Sequence, residues 1–87
     1  MKNGEAEKST YKVKQCYRNQ LFGGVISRDS DRRSWVWKGH IDFEDGPYRE
    51  FTSRRSFSSG SEAEEHMRRF AHEQIDNWFS ATRPGNL

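Results

Sequence analysis

Between Ser59 and Ala81 the apolar residues fall at Ala63, Met67, Phe70, Ala71, Ile75, Trp78 and Phe79. That is the i, i+3, i+4, i+7 recurrence of one helix face. Glu62, Glu64, Glu65, Arg68, Arg69, Glu73 and Asp76 lie between them, so the spacing predicts an amphipathic helix over about 60–81. Ser59 with Glu62, or Ser61 with Glu64, fits a capping box at its start, and Pro84 stops it. A lone helix of this kind is marginal in water and must lay its stripe on another apolar surface.

The rest of the chain supplies that surface with a period of two. Tyr11, Val13, Gln15 and Tyr17 alternate with Lys12, Lys14, Cys16 and Arg18, which predicts a half-buried strand over 11–18. Over 34–43, Trp35, Trp37, Ile41 and Phe43 share a face with Gly39, and Val36, Lys38, His40 and Asp42 take the other. Glu44-Asp45-Gly46-Pro47 reads as a turn, with Asp-Gly expected to supply a positive φ. A partner strand follows over 48–57, with Phe51, Ser53, Arg55 and Phe57 on the apolar side; Arg55 is the one misfit there. The run 21–28 is ambiguous. Val25-Ile26-Ser27 is β-prone, but Gly23-Gly24 suggests a turn or bulge, so the run is either a short strand or a bent continuation of the first. Residues 1–10 and 82–87 read as a flexible tail and a frayed tail around a single domain at 11–81. The predicted fold is α+β: a three- or four-stranded antiparallel sheet in two layers with one long C-terminal helix, β-β-β-α.

Composition changes this picture in one respect. With 31% hydrophobic and 32% charged residues the chain could pass for disordered, but its aromatic content of 14% argues for a small aromatic core. The net charge of +2 is too small for a dedicated non-specific DNA binder. A single cysteine, Cys16, excludes an internal disulfide and a multi-cysteine zinc site. No apolar run approaches the roughly 20 residues of a membrane span, and residues 1–10 lack the apolar stretch of a signal peptide. The expectation is a cytoplasmic protein with no membrane partner.

A Trp-bearing strand (Trp35 to Phe43), the Asp45-Gly46 turn, Phe57-Ser58-Ser59-Gly60-Ser61-Glu62-Ala63 opening the helix and Ile75-Asp76-Asn77-Trp78 near its end together resemble small uncharacterised bacterial domains of the β-β-β-α kind. The resemblance covers about residues 11–81 and implies no activity. The element order also resembles the latter part of a double-stranded-RNA-binding domain and the HicB-type antitoxin fold. The RNA-binding module, however, opens its last helix with lysines where this chain has Glu62, Glu64 and Glu65.

Candidate chemistry is sparse. Lys12, Lys14, Arg18, Lys38, His40 and Arg54 are expected to share the outer face of the sheet, a basic platform able to track phosphates. The other reading of the same residues is a solvated face whose lysines discourage edge pairing. Arg28, Arg32, Arg33, Arg54 and Arg55 form a second basic group, suited to phosphate or to neighbouring carboxylates. His72 and Asp76 have the spacing of half a metal site, while His66 reads as a surface residue paired with Glu62. Cys16 with His40 is the most enzyme-like pair, on a flat face with no pocket to exclude water. Leu21, Phe22, Trp78 and Phe79 are candidates for an exposed apolar patch. The reading is a non-enzymatic module for an unknown protein partner or self-association, with nucleic-acid binding as the alternative and no metal or cofactor.

Overall fold

The computed structural model describes residues 10–29, 33–44 and 46–81. Four strands, β1 (Thr10–Tyr17), β2 (Gln20–Asp29), β3 (Ser34–Asp42) and β4 (Tyr48–Thr52), precede one helix, α1 (Gly60–Ala81). The strands pair antiparallel in the order β1-β2-β3-β4, and α1 covers one face of the sheet. The two-layer α+β fold therefore has four strands.

The ambiguous run 21–28 is a full strand. Its inward residues are Phe22, Gly24 and Ile26, and both Phe22 and Ile26 are buried. Gly23-Gly24 makes neither turn nor bulge: Val13 pairs with Gly24 and Lys14 with Gly23 in unbroken register. Gly24 also pairs with Gly39 on β3. A Cβ on Gly24 would stand 2.3 Å from the Lys38 carbonyl oxygen and 2.9 Å from Met67 Sδ. The glycine pair is a saddle that lets α1 sit close to the sheet.

The β1–β2 turn explains why this strand was hard to read. Arg18 and Asn19 both have positive φ, 53° and 66°, as a two-residue type I′ hairpin turn requires. Arginine is an uncommon occupant of that conformation, so the sequence carried only half of the signal. Gln20 is buried and satisfied at both ends. Its Nε2 donates to the Arg18 carbonyl at 3.0 Å, and its Oε1 accepts from the Glu44 N–H at 2.7 Å.

At the β3–β4 turn the Gly46 N–H donates to the Phe43 carbonyl at 3.2 Å. Gly46 does not take a positive φ. Its need is space: a Cβ there would lie 2.5 Å from the Trp78 ring. The strand predicted over 48–57 is shorter than expected and ends at Thr52. Ser53 turns its hydroxyl back to accept from the Trp37 N–H at 3.2 Å, the chain bends, and Phe57 returns only as an isolated bridge to Trp35.

The helix begins where the capping box placed it. Ser59 Oγ accepts from the Glu62 N–H at 3.1 Å. Glu62 reaches back one residue further than usual, to the Ser58 N–H and hydroxyl at 3.2 and 2.8 Å. Ala63, Met67, Ala71 and Ile75 form its buried stripe. Two contiguous groups make the core: Ile26, Trp37, Phe57, Ala63 and Met67 at one end, Phe22, Ile41, Phe43, Ala71 and Ile75 at the other. No helix among the described residues is long and apolar enough to cross a membrane.

Candidate functional site

The helix has two long sides, and the sequence closes only one of them. Along β1, every inward polar side chain reaches a charged helix residue. Tyr11 OH donates to Glu64 at 3.2 Å, and Arg68 Nε donates to Gln15 Oε1 at 3.3 Å. Tyr17 OH donates to Asp76 at 3.0 Å, and Arg18 pairs with the same carboxylate at 2.8 Å. The Arg18 and Tyr17 bonds hold the Asp76 carboxyl below its ordinary pKa, against the opposing effect of desolvation. Desolvation and the Glu64 carboxylate together raise the Tyr11 hydroxyl. Rings finish the seam: His72 stacks on Tyr17 with centroids 3.9 Å apart, and the Arg18 guanidinium lies 4.4 Å above Phe79.

Along β4 the arrangement is different. Among the described residues no side-chain hydrogen bond joins β4 to α1. Phe70 reaches Phe51 at 4.9 Å, edge to face, and Trp37 at 5.4 Å. Beside them is an open cleft of about 670 Å³, lined by Trp37, Phe51, Ser53, Phe70 and Gln74, with Arg54, Arg55 and His66 at its end. This volume lies within the usual range of ligand pockets, about 300–1,000 Å³.

His66 anchors that end. Trp37 Nε1 donates to its Nδ1 at 3.1 Å, so Nδ1 must carry no proton. Burial first, then the charges of Arg55 and Arg69, lower the His66 pKa from its ordinary value. The residue read as a surface partner of Glu62 therefore points at the sheet, because its helix position overhangs Phe57, 4.8 Å away.

The structure divides the predicted basic platform. Lys12, Lys14, Lys38 and His40 do share the outer face, arranged around Gly23, which pairs with both Lys14 and His40. No ion pair among the described residues engages these lysines; all four ion pairs found there involve the helix. Arg18 leaves the platform, because the type I′ turn sends it to Asp76 on the helix side. Arg54 leaves it too, because β4 has ended and the bend carries it to the cleft. Asp42 and Glu50 stand on the same outer face, and Tyr48 stacks on His40 at 5.7 Å.

Other candidates separate. Phe22 is a core residue, 1% exposed, whereas Leu21 is 52% exposed on the face opposite the helix. Trp78 packs on Phe43 at 4.8 Å and Phe79 lies under Arg18, so the four residues form no common patch. Cys16 pairs across to Leu21, while His40 pairs with Gly23. A whole strand and one step of register separate the two side chains, which puts the thiol out of reach of the imidazole. His72 and Asp76 acquire no third metal-ligating neighbour among the described residues. Arg55 lies 4.3 Å over the Phe57 ring, Arg28 and Arg33 are exposed, and Arg32 is outside the described residues.

The cleft itself was missed in the sequence. Its one legible sign was Arg55 on an apolar register position, which marks where β4 stops following the sheet. No family model matches the chain, and neither the curated proteins nor the solved structures give a match.

Proposed function

We propose that the chain is a small non-enzymatic interaction module that seats a segment of another protein in the cleft between β4 and α1. One observation carries this reading: side-chain bonds tie α1 to β1 through Tyr11, Gln15, Tyr17 and Arg18, while among the described residues no side-chain hydrogen bond joins α1 to β4, whose side has an aromatic floor and, at its end, two arginines that pair with no described carboxylate. A concave apolar site with a few convergent polar groups and a histidine of shifted pKa is the physical profile of a binding site. The test is selection of a displayed random linear-peptide library on the immobilised full chain. Consensus peptides should enrich on the wild type and fail to bind Gln74→Trp, which fills the cleft from the half-buried helix side. Retention of the same peptides by Gln74→Trp, or no enrichment at all, would contradict the reading.

The outer face supports a second reading, nucleic-acid binding. Its favouring observation is the set of lysines that no ion pair among the described residues engages, Lys12, Lys14 and Lys38, around the side-chain-free step at Gly23, with the His40–Tyr48 ring pair beside it. Salt-sensitive shifts of those residues with single-stranded oligonucleotides would favour it. Unchanged spectra at low salt would remove it.

A further inference from the structure

We infer that the occupant of the cleft is an extended peptide that joins the sheet as a fifth strand along β4, with apolar side chains at alternate positions facing the helix layer and a carboxylate at the end that reaches Arg54 and Arg55. This rests on the interaction reading above and specifies the partner's chemistry.

The backbone argument comes from one bond. The Ser53 N–H donates to the Trp37 carbonyl at 2.9 Å. Groups of an antiparallel strand alternate in direction, so Phe51 and Arg49 also turn their N–H and C=O toward β3. Glu50 and Thr52 therefore turn theirs to the open side of β4, which is an edge of the sheet. Unpaired edge groups are a template for another extended chain. Strand addition takes affinity from such bonds and specificity from pockets for alternate side chains. Here the pocket adjoins the edge. Side chains of an added strand that face the helix layer enter the gap beside Phe51, Phe70 and Gln74, over Trp37.

Charge selects among extended peptides. Arg54 and Arg55 lie just past the end of β4, after Ser53, and pair with no carboxylate among the described residues, and Arg69 flanks His66 on the helix. The helix carboxylates at this end are engaged, and Glu50 of β4 faces the opposite side of the sheet. Glu62 accepts from Ser58, and Glu65 pairs with Arg68 and with Arg69. The depressed His66 reports the same positive surroundings, added to its burial. A carboxylate at this end gains from the arginines and an ammonium is repelled, which sets specificity more than raw affinity. The other edge, β1, offers no equivalent seat, because its inward polar side chains are bonded to the helix and its outward ones include Lys12 and Lys14.

The experiment is fluorescence anisotropy of three labelled, end-blocked pentapeptides on the full chain. One carries leucine at its second and fourth positions, threonine at its third and glutamate at both ends, one replaces both glutamates with lysine, and the third is the glutamate peptide N-methylated at alternate backbone amides. Strand addition predicts that the glutamate peptide binds, that the lysine peptide binds at least about tenfold more weakly, and that N-methylation costs a similar factor. Arg54→Glu should reverse the charge preference, while Arg54→Lys should keep it. Equal binding of the methylated and unmethylated peptides would overturn strand addition and leave the interaction reading standing. Preference for the lysine peptide would overturn the charge assignment. Failure of all three peptides, or exclusion of the glutamate peptide because the chain dimerises through β4, would overturn this inference. The library selection would then decide the broader reading separately.

Discussion

The two long sides of α1 face the same sheet but end differently. Toward β1 the helix presents Glu64, Arg68, His72 and Asp76, and each meets a partner of matching chemistry at a spacing of one helical turn. Toward β4 it presents His66, Phe70 and Gln74; rings meet there, and the hydrogen bond His66 accepts comes from Trp37 on β3, not from β4. Part of the difference lies in strand length. β1 runs for eight residues beside the helix, whereas β4 stops after five. A short edge strand leaves the helix overhanging empty space, and the bend that ends it delivers two arginines to the opening. One sheet can thus be stapled on one side and open on the other with no change of fold.

The comparison breaks most severely if the helix cannot reach the sheet at all. Gly24→Val places methyl groups where the Lys38 carbonyl and Met67 already stand, and overpacking of this kind costs about 3 kcal/mol. Urea unfolding should show a loss of that order, and a loss below about 0.5 kcal/mol would contradict the saddle.

The next effect belongs to the open side. His66→Phe keeps the ring but leaves the buried Trp37 N–H without its acceptor, a cost of about 1–3 kcal/mol. The variant should also lose a pH dependence. The folded pKa of His66 lies below its unfolded value of 6.5, so the unfolded chain takes up the proton first. The stability due to His66 is therefore complete above that value and falls as pH drops toward the folded pKa. Melting temperatures from pH 7.5 to 5 should decline more steeply for the wild type than for the variant. Parallel curves would contradict the lowered pKa of His66.

On the closed side, Tyr11→Phe removes the bond to Glu64. Its expected cost is about 0.5–1 kcal/mol at this half-buried site, with peptide affinity unchanged. A change in peptide affinity would mean the two sides are coupled. The smallest effect on stability is expected of Arg54→Glu, an exposed change worth less than about 0.5 kcal/mol. Its effect should appear in peptide binding alone, and an unfolding shift above 1 kcal/mol would show that Arg54 serves the fold.

The closed side was more legible in the sequence than the open one. The 60–81 stripe is long and regular, and the alternation at 11–18 placed Tyr11, Gln15 and Tyr17 toward the helix without showing which residues they would meet. β2 was obscured because Gly24 stands where an apolar residue would complete Phe22-x-Gly24-x-Ile26, and because Arg18 is an unusual type I′ residue. The cleft depends on where a strand stops. Phe51, Ser53 and Phe57 keep the period of two through that point, so periodicity cannot reveal it. Only the Ser53 hydroxyl, folded back onto Trp37, and the misplaced Arg55 mark the break. Arg18 and Arg54 left the basic platform for the same reason: each stands just beyond a strand end, where alternation no longer decides which face a side chain takes.

Two glutamines test the asymmetry within one spectrum. Gln15 lies on the closed side and is bonded to Arg68; Gln74 lines the cleft. Both side-chain amides appear in a single nitrogen–proton correlation spectrum of the labelled chain titrated with the leucine peptide that carries glutamate at its ends. The Gln74 amide, the Trp37 indole and the Glu50 and Thr52 backbone amides should shift together and saturate at one affinity, while Gln15 stays in place. Equal movement of Gln15 and Gln74, or shifts confined to Lys12, Lys14 and Lys38, would contradict a helix with one open side.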